Sequence, residues 1–531
     1  MEHFNITLND LPDEILLIIL KNLKSFDIHF SLQGVNQRLN QIIQEEIFTN
    51  RLSFIKRSSD NFIDRLSDKT ILDRFCLQIL PSIHYKIQYL ALGSTSMKSV
   101  LQANYYPNLY SLALFNVDKK SFKSLLKNKI LSTGIFRTQI TTLNLSFDQC
   151  ENFFDMFSSI ANIFQRIFPT FSKLKYLILD SRWYYNCVRL NSDESSFIHN
   201  FRSSTLLYLD IKVQSYNDCL YILDGRFNQL HTLIIDVVNP FDTYDVQNRD
   251  NLPNLKHFSF TCNYETYFYN ETIPPLLNRM SNLERLGLYI GIDSKTTFID
   301  GHFLKHNILN SLRKLNDFQF SIISYLSNVM QLNLPSTKDI EQTFTHFKSK
   351  HIISCVEYFP ESKKGQYHIY SYPSKMTHYN DITNKFPGGI FEHVRTVSLF
   401  DEKPFEHEFF LQIQKSFPFM EDVCIRNSKP QNRKEFNENL SPIQYSFLRV
   451  LRICNVHDDY IKQFLTDTKV YLSKNINLYI KHESLERVTN NFTREDTRIN
   501  CTKVDKLYIR DEGKRLDSLE KYFPNAKIFL K

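Results

Sequence analysis

One pattern recurs along most of the chain and limits what it can fold into. Six-residue segments with apolar residues at positions one, four and six begin at Ile87, Leu109, Ile140, Leu174, Leu206, Leu230, Leu255, Leu283 and Leu315. After a gap they return at Val394, Met420, Leu448 and Val504. Thirteen copies of one LxxLxL spacing are far beyond accident. Alternation at the fourth and sixth positions is the period of a short strand with one face turned to a core. Such a unit cannot bury its apolar face alone, so neighbouring copies must pair. The copies lie about 20–34 residues apart, which leaves room for a helix between strands. "YPNL" at Tyr106, "LPNL" at Leu252 and "MSNL" at Met280 are turns that lead into three of them. Amphipathic helices are expected in between. "ENFFDMFSSIANIFQRIF" places Phe153, Phe157, Ile160, Phe164 and Ile167 on one face. "FEHEFFLQIQKSF" does the same with Phe405, Phe409, Ile413 and Phe417.

The rhythm divides the chain. It occupies residues 85–321 and 391–531. Between them, 322–390 reads as an irregular insertion in which "HIISCVEYF" and "QYHIYSYP" form a hairpin around "PESKKG". Leu472 to Ile480 reads as an atypical copy. Residues 51–84 are expected to be a linker and a helix capping the first strand. Residues 1–50 follow another pattern altogether. In "LPDEILLIILKNL", Pro12 opens a helix amid Asp10, Asp13 and Glu14. Ile15, Leu16, Ile18, Ile19, Leu20 and Leu23 then follow within nine residues. "KSFDIHFSLQGV" is a short second element. "VNQRLNQIIQEEIF" predicts a third helix with Val35, Leu39, Ile42, Ile43 and Ile47 in one stripe. Three helices this short cannot enclose so much apolar surface. Half a dozen exposed Leu or Ile side chains forfeit on the order of 10 kcal/mol.

The stretch "LNDLPDEILLIILKNLKSFDIHFSLQGVNQRLNQII" resembles the F-box motif, through Leu11-Pro12, Glu14-Ile15-Leu16, Ile19-Leu20, Leu23, Asp27, Ile28 and Val35. The family often has Trp in the third helix where this chain has Leu39. The resemblance implies that the surplus apolar surface belongs to the Skp adaptor of a Skp–cullin–F-box ubiquitin ligase. Leu11, Pro12, Ile15, Leu16, Ile19, Leu20 and Leu23 are then the expected adaptor contacts, completed by Val35, Leu39 and Ile43. The strand–helix units resemble leucine-rich repeats, although the Asn or Cys of that family is mostly missing; Val117, Arg182 and Val456 stand in its place in three copies. The expected fold class is therefore α/β: a short three-helix F-box followed by an irregular leucine-rich-repeat-like solenoid.

In such repeats the residues between the leucines line the open strand face. Central copies place Tyr176, Asp180, Tyr208, Asp210, Lys212, Thr232 and Asp236 there, and late copies place Arg426, Arg452, Lys506, Tyr508 and Arg510. An acidic, tyrosine-bearing end and a basic end are expected. Tyr176, Asp180, Tyr208, Asp210, Asp236, Arg426, Arg452, Tyr508 and Arg510 are the candidate target-binding residues, since Tyr and Arg dominate interface hot spots.

Composition excludes several function classes. Only 11 glycines occur in 531 residues, about 2% against a usual share of roughly 7%, which argues against phosphate-binding loops. GxxxxGK[ST], GxGxxG and HExxH are missing; "HEFFL" at His407 lacks the second His. Neither catalysis, nor a cofactor, nor a metal site is expected. Net charge is +7, but residues 1–50 carry three basic against seven acidic groups and stand at −4. The +11 of the rest is spread without a dense run, so nucleic acid is not the favoured partner. Nine scattered cysteines without a CxxC pair fit a reducing compartment. With no membrane span or signal peptide read, the expected location is cytoplasmic or nuclear. The function expected is that of a substrate receptor: the F-box docks the adaptor, and through it a cullin, while the repeats hold an unknown target protein. Two alternatives are an F-box scaffold without ligase activity and a nucleic-acid- or chromatin-binding solenoid.

Overall fold

The computed structural model describes residues 8–57, 62–127, 134–147, 163–180, 187–190, 201–239, 251–266, 269–294, 298–327, 334–345, 347, 351–432, 442–510 and 517–530. The chain divides into two compact units, 1–260 with 279–283, and 261–278 with 284–531.

The first unit opens with four helices: α1 (Asp13–Lys21), α2 (Ser25–Leu32), α3 (Gln37–Ile43) and α4 (Glu46–Thr49). Pro12 starts α1, its carbonyl accepting from the Ile15 and Leu16 amides. The Asn36 side chain caps α3 by accepting from the Leu39 amide at 2.7 Å. Leu16, Leu20, Ile28, Leu39, Ile42, Ile43 and Phe48 form the core of this layer. The expected single stripe from Val35 to Ile47 is interrupted. Tight i→i+3 bonds at Gln44 and Glu45 end α3, and Ile47 emerges exposed on α4. Buried His29 reaches across to the Phe48 carbonyl at 3.1 Å.

The strands follow as β1 (Arg51–Ser53), β2 (Ile55–Arg57), β3 (Phe62–Asp64), β4 (Tyr89–Gly93), β5 (Ser111–Val117), β6 (Thr142–Phe147), β7 (Tyr176–Asp180), β8 (Tyr208–Ser215), β9 (Thr232–Asn239) and β10 (His257–Thr266). The division between units falls within β10. The segment expected as linker and cap enters the sheet directly. β1 pairs in parallel with β4, β2 and β3 form a small antiparallel ribbon, and helical turns cover 69–86. From β4 to β9 each strand pairs in parallel with the next in sequence. The fourth residues of successive LxxLxL copies, Leu90, Leu112, Leu143, Leu177, Leu209 and Leu233, stand directly opposite one another, and all are fully buried.

Two backbone devices repeat along this ladder. One carbonyl per copy accepts two consecutive amides of the next: Gln88 takes Tyr110 and Ser111, Tyr110 takes Thr141 and Thr142, and Thr141 takes Lys175 and Tyr176. The turn asparagine donates to the preceding turn, as Asn108 to the Tyr85 carbonyl (2.6 Å) and Asn254 to that of Asn228 (2.8 Å). These bonds satisfy backbone groups that would otherwise be buried unpaired. Of the helix expected from Phe153 to Ile167, Phe153, Phe157 and Ile160 lie outside the described residues, while Phe164 and Ile167 are buried.

The second unit contains β11 (Arg285–Ser294), β12 (Asp317–Ser327), β13 (His351–Phe359), β14 (Lys364–Tyr372), β15 (His378–Ile382), β16 (Thr396–Phe400), β17 (Asp422–Asn427), β18 (Ile443–Gln444), β19 (Val450–Val456), β20 (Val470–Tyr471), β21 (Ile476–Lys481), β22 (Val504–Arg510) and β23 (Lys527–Leu530). β11 and β12 are parallel. β12 then pairs antiparallel with β14 of the β13–β14 hairpin, and this is where the rhythm fails. A seven-stranded sheet, β15-β16-β17-β19-β21-β22-β23, is parallel throughout. Val397, Val423, Leu451, Leu478 and Leu507 repeat the buried column. Helix His407–Ser416 covers it with Phe409, Phe410 and Ile413.

Leu209→Ala empties one place in the column and is expected to lower the unfolding free energy by about 2–5 kcal/mol in urea titrations. In the second unit His368 is fully buried against the Ser321 hydroxyl (2.8 Å), and burial pushes its pKa down to about 3. The folded state therefore holds it neutral, and its contribution is complete above the ordinary value near 6.5. Below that the unfolded chain binds the proton first, and stability falls. By pH 5 the loss from the high-pH plateau is about 2 kcal/mol, and His368→Asn is expected to flatten that part of a stability-versus-pH curve.

Candidate docking surface

Helix α1 has apolar residues on both sides. Leu16 and Leu20 point into the core, whereas Ile15, Ile18 and Ile19 are exposed on the outer side, and Leu23 is exposed just past the helix end. Ile18 and Leu23 are 58% and 51% exposed. Val35, on the turn entering α3, is 58% exposed. Arg38 holds the starts of α1 and α3 together by donating to the Leu11 carbonyl (2.6 Å) and pairing with Asp13 (2.5 Å). The helical layer is also tied to the sheet. The Asn50 carbonyl accepts from Gln88 and Tyr89, Lys86 donates to the Gln44 carbonyl (2.7 Å), and Arg65 pairs with Asp27 (2.9 Å). Phe26 meets Phe54 edge to face at 6.1 Å. The outer stripe of α1 is therefore presented on a fixed support.

Among the residues expected at the adaptor contact, Leu16, Leu20, Leu39 and Ile43 are 3% exposed or less. Their side chains are consumed by the domain's own core, so the contact list is corrected to the outer residues. Pro12, Ile15, Ile19, Leu23 and Val35 remain at the surface, and Leu11 is half-buried against the core. Leu39 thus fills the interior. Ile18 is exposed beside these outer residues although it was not among the expected contacts. The available signal was the doubled apolar face of α1.

The candidate target-binding residues fall in the two units and are described within each. In the first, Tyr176 and Tyr208 face each other across β7 and β8 with centroids 6.0 Å apart, and Tyr176 is exposed. Burial, with the Asp210 charge, pushes the Tyr208 phenol up to about 12. Asp236 pairs with Lys212 at 3.3 Å. The side chain of Asp180 lies outside what is described. In the second unit Arg426 pairs with Asp381, which also accepts from the Tyr325 and Ser398 hydroxyls. Arg452 reaches the Asp422 carboxylate with Nε and Nη2, at 3.2 and 2.9 Å, and lies 4.6 Å from the centroid of the Tyr479 ring. Burial pushes the Asp422 carboxyl up, against the pull of Arg452. Tyr479 and Tyr508 stack at 4.3 Å, and Tyr508 continues onto Phe529 at 4.9 Å. Arg510 is exposed at the end of β22. Arg426 and Arg452 are thus bound internally, which qualifies the expectation of a free basic face.

The outer stripe of α1 is expected to be dispensable for folding. Ile15→Asp with Ile19→Asp should leave the melting temperature within about 2 °C, whereas Leu20→Asp should unfold the helical layer, as read by circular dichroism.

Comparison with known families matches residues 8–51 to the F-box domain. Comparison with curated proteins finds no match. The matched residues span the turn before α1, the four helices and the first residue of β1.

Proposed function

With an F-box domain at residues 8–51 as the premise, we propose that the chain is the substrate-recognition subunit of a Skp–cullin–F-box ubiquitin ligase. The observation that carries this reading is the outer side of α1, Ile15, Ile18 and Ile19, with Leu23 just past its end, left exposed on a helix whose opposite face already closes the core. The Skp adaptor covers that side and links the chain to a cullin. These four side chains are about half exposed, so covering what remains contributes roughly 3–6 kcal/mol before the cost of association. In each unit the strands that follow are stacked as leucine-rich-repeat-like strand–helix copies. In-register leucine columns and the recurring two-amide carbonyls within each unit support that reading. The open strand face of these copies holds a target protein.

The mechanism is proximity. The chain makes and breaks no covalent bond itself; it raises the local concentration of a target lysine near the ubiquitin-charged enzyme. Such a complex works in the cytoplasm or nucleus. The test is affinity capture followed by mass spectrometry on the intact chain and on the Ile15→Asp/Ile19→Asp variant. The intact chain is expected to bring down the Skp adaptor and a cullin, and the variant neither. Adaptor without cullin would point to a scaffold, and unchanged adaptor capture by the variant would overturn the docking site.

A further inference from the structure

The last strands of the second unit carry cations for which the proposed function, on which this inference rests, names no ligand. On the side away from the core, Arg452 lies beside Tyr479, Tyr479 beside Tyr508, Tyr508 beside Phe529, and Lys481 beside Arg510. Neighbouring strands are about 4.8 Å apart, so Lys481 and Arg510 are adjacent like charges at a strand end. Both are exposed, and among the described residues neither makes an ion pair. Arg452, the third cation of the group, is already committed to Asp422. Lys481 and Arg510 stand two residues beyond Tyr479 and Tyr508 on the same strands, so the pair shares their face of the sheet. Like charges directly opposed across a sheet are unfavourable, and an anion bound between Lys481 and Arg510 relieves that repulsion.

The aromatic ladder narrows the kind of anion. Tyr479 and Tyr508 stack with planes 7° apart, Phe529 continues the stack at 15°, and the Arg452 guanidinium lies over Tyr479. Nucleobases bind to such platforms through open ring faces. Here the inner faces are taken by one another, and the ladder offers ring edges instead. We propose that this face binds an acidic peptide segment of a partner protein, its Asp or Glu carboxylates held by Lys481 and Arg510 and its chain resting along the edges of Tyr479 and Tyr508. Charge complementarity of this kind sets orientation and partner choice.

The test is fluorescence anisotropy on the purified intact chain with a labelled peptide of alternating Glu and Ala. Probes of the same length carry Gln for Glu, or phosphoserine for Glu, and an oligouridylate is the fourth. The Glu peptide is expected to bind at least about tenfold more tightly than the Gln peptide, and Lys481→Glu with Arg510→Glu to weaken it by about as much. Lys481→Gln with Arg510→Gln should give an intermediate loss at an unchanged melting temperature, which separates lost charge from lost fold. Equal affinity for the Glu and Gln peptides, or a Glu peptide indifferent to both variants, would overturn the proposal. Binding of the phosphoserine peptide or the oligouridylate alone would overturn it too, in favour of those ligands. Adaptor capture is read on the same samples. A chain that takes the peptide but no adaptor upholds this face and fails the receptor reading.

Discussion

A nine-residue helix packed on one small core can bury only one of its sides. In α1 that side is Leu16 and Leu20, and the helix nevertheless carries Ile15, Ile18 and Ile19 on the other, with Leu23 exposed just past its end. Exposed apolar area of this density is costly in water and invites association. The ties from Arg38 to Leu11 and Asp13 fix the start of α1 against α3, and Leu16 and Leu20 anchor its inner side. The proposed docking of an adaptor follows from that constraint.

Most strands of each unit obey a second constraint, that of parallel pairing in register. Because side chains alternate along a strand, aligning Leu177 with Leu209 and Leu233 also aligns the residues between them on the open face. The column that closes the core therefore sets up Tyr176 beside Tyr208 and, in the second unit, Tyr479 beside Tyr508. Functional candidates are positioned here by packing on the opposite side of the sheet.

Much of this was legible in the chain because it rests on period. The spacing of Leu90, Leu112 and Leu143 announces strands, and "HIISCVEYF" with "QYHIYSYP" announces a hairpin. The F-box stretch was legible from its ordered apolar positions. What could not be read was which side of a doubly apolar helix faces inward. Leu16 and Leu20 look no different from Ile15 and Ile19 until a core is placed beside them. Nor does the chain reveal that Arg452 is neutralised by Asp422, thirty residues away, because such pairing depends on register across strands. The turn asparagines Asn108 and Asn254 were legible as turn formers, but their bonds to the preceding copy needed the stacked structure.

The central claim is that the outer side of α1 is completed by a second polypeptide. Amide hydrogen exchange of the intact chain, followed by mass spectrometry with and without purified Skp adaptor, tests it most directly. The account predicts slowed exchange confined to the segment from Leu11 to Leu23 and the turn around Val35, with the strands unchanged. Identical exchange in both samples, at adaptor concentrations that saturate other F-box domains, would contradict it.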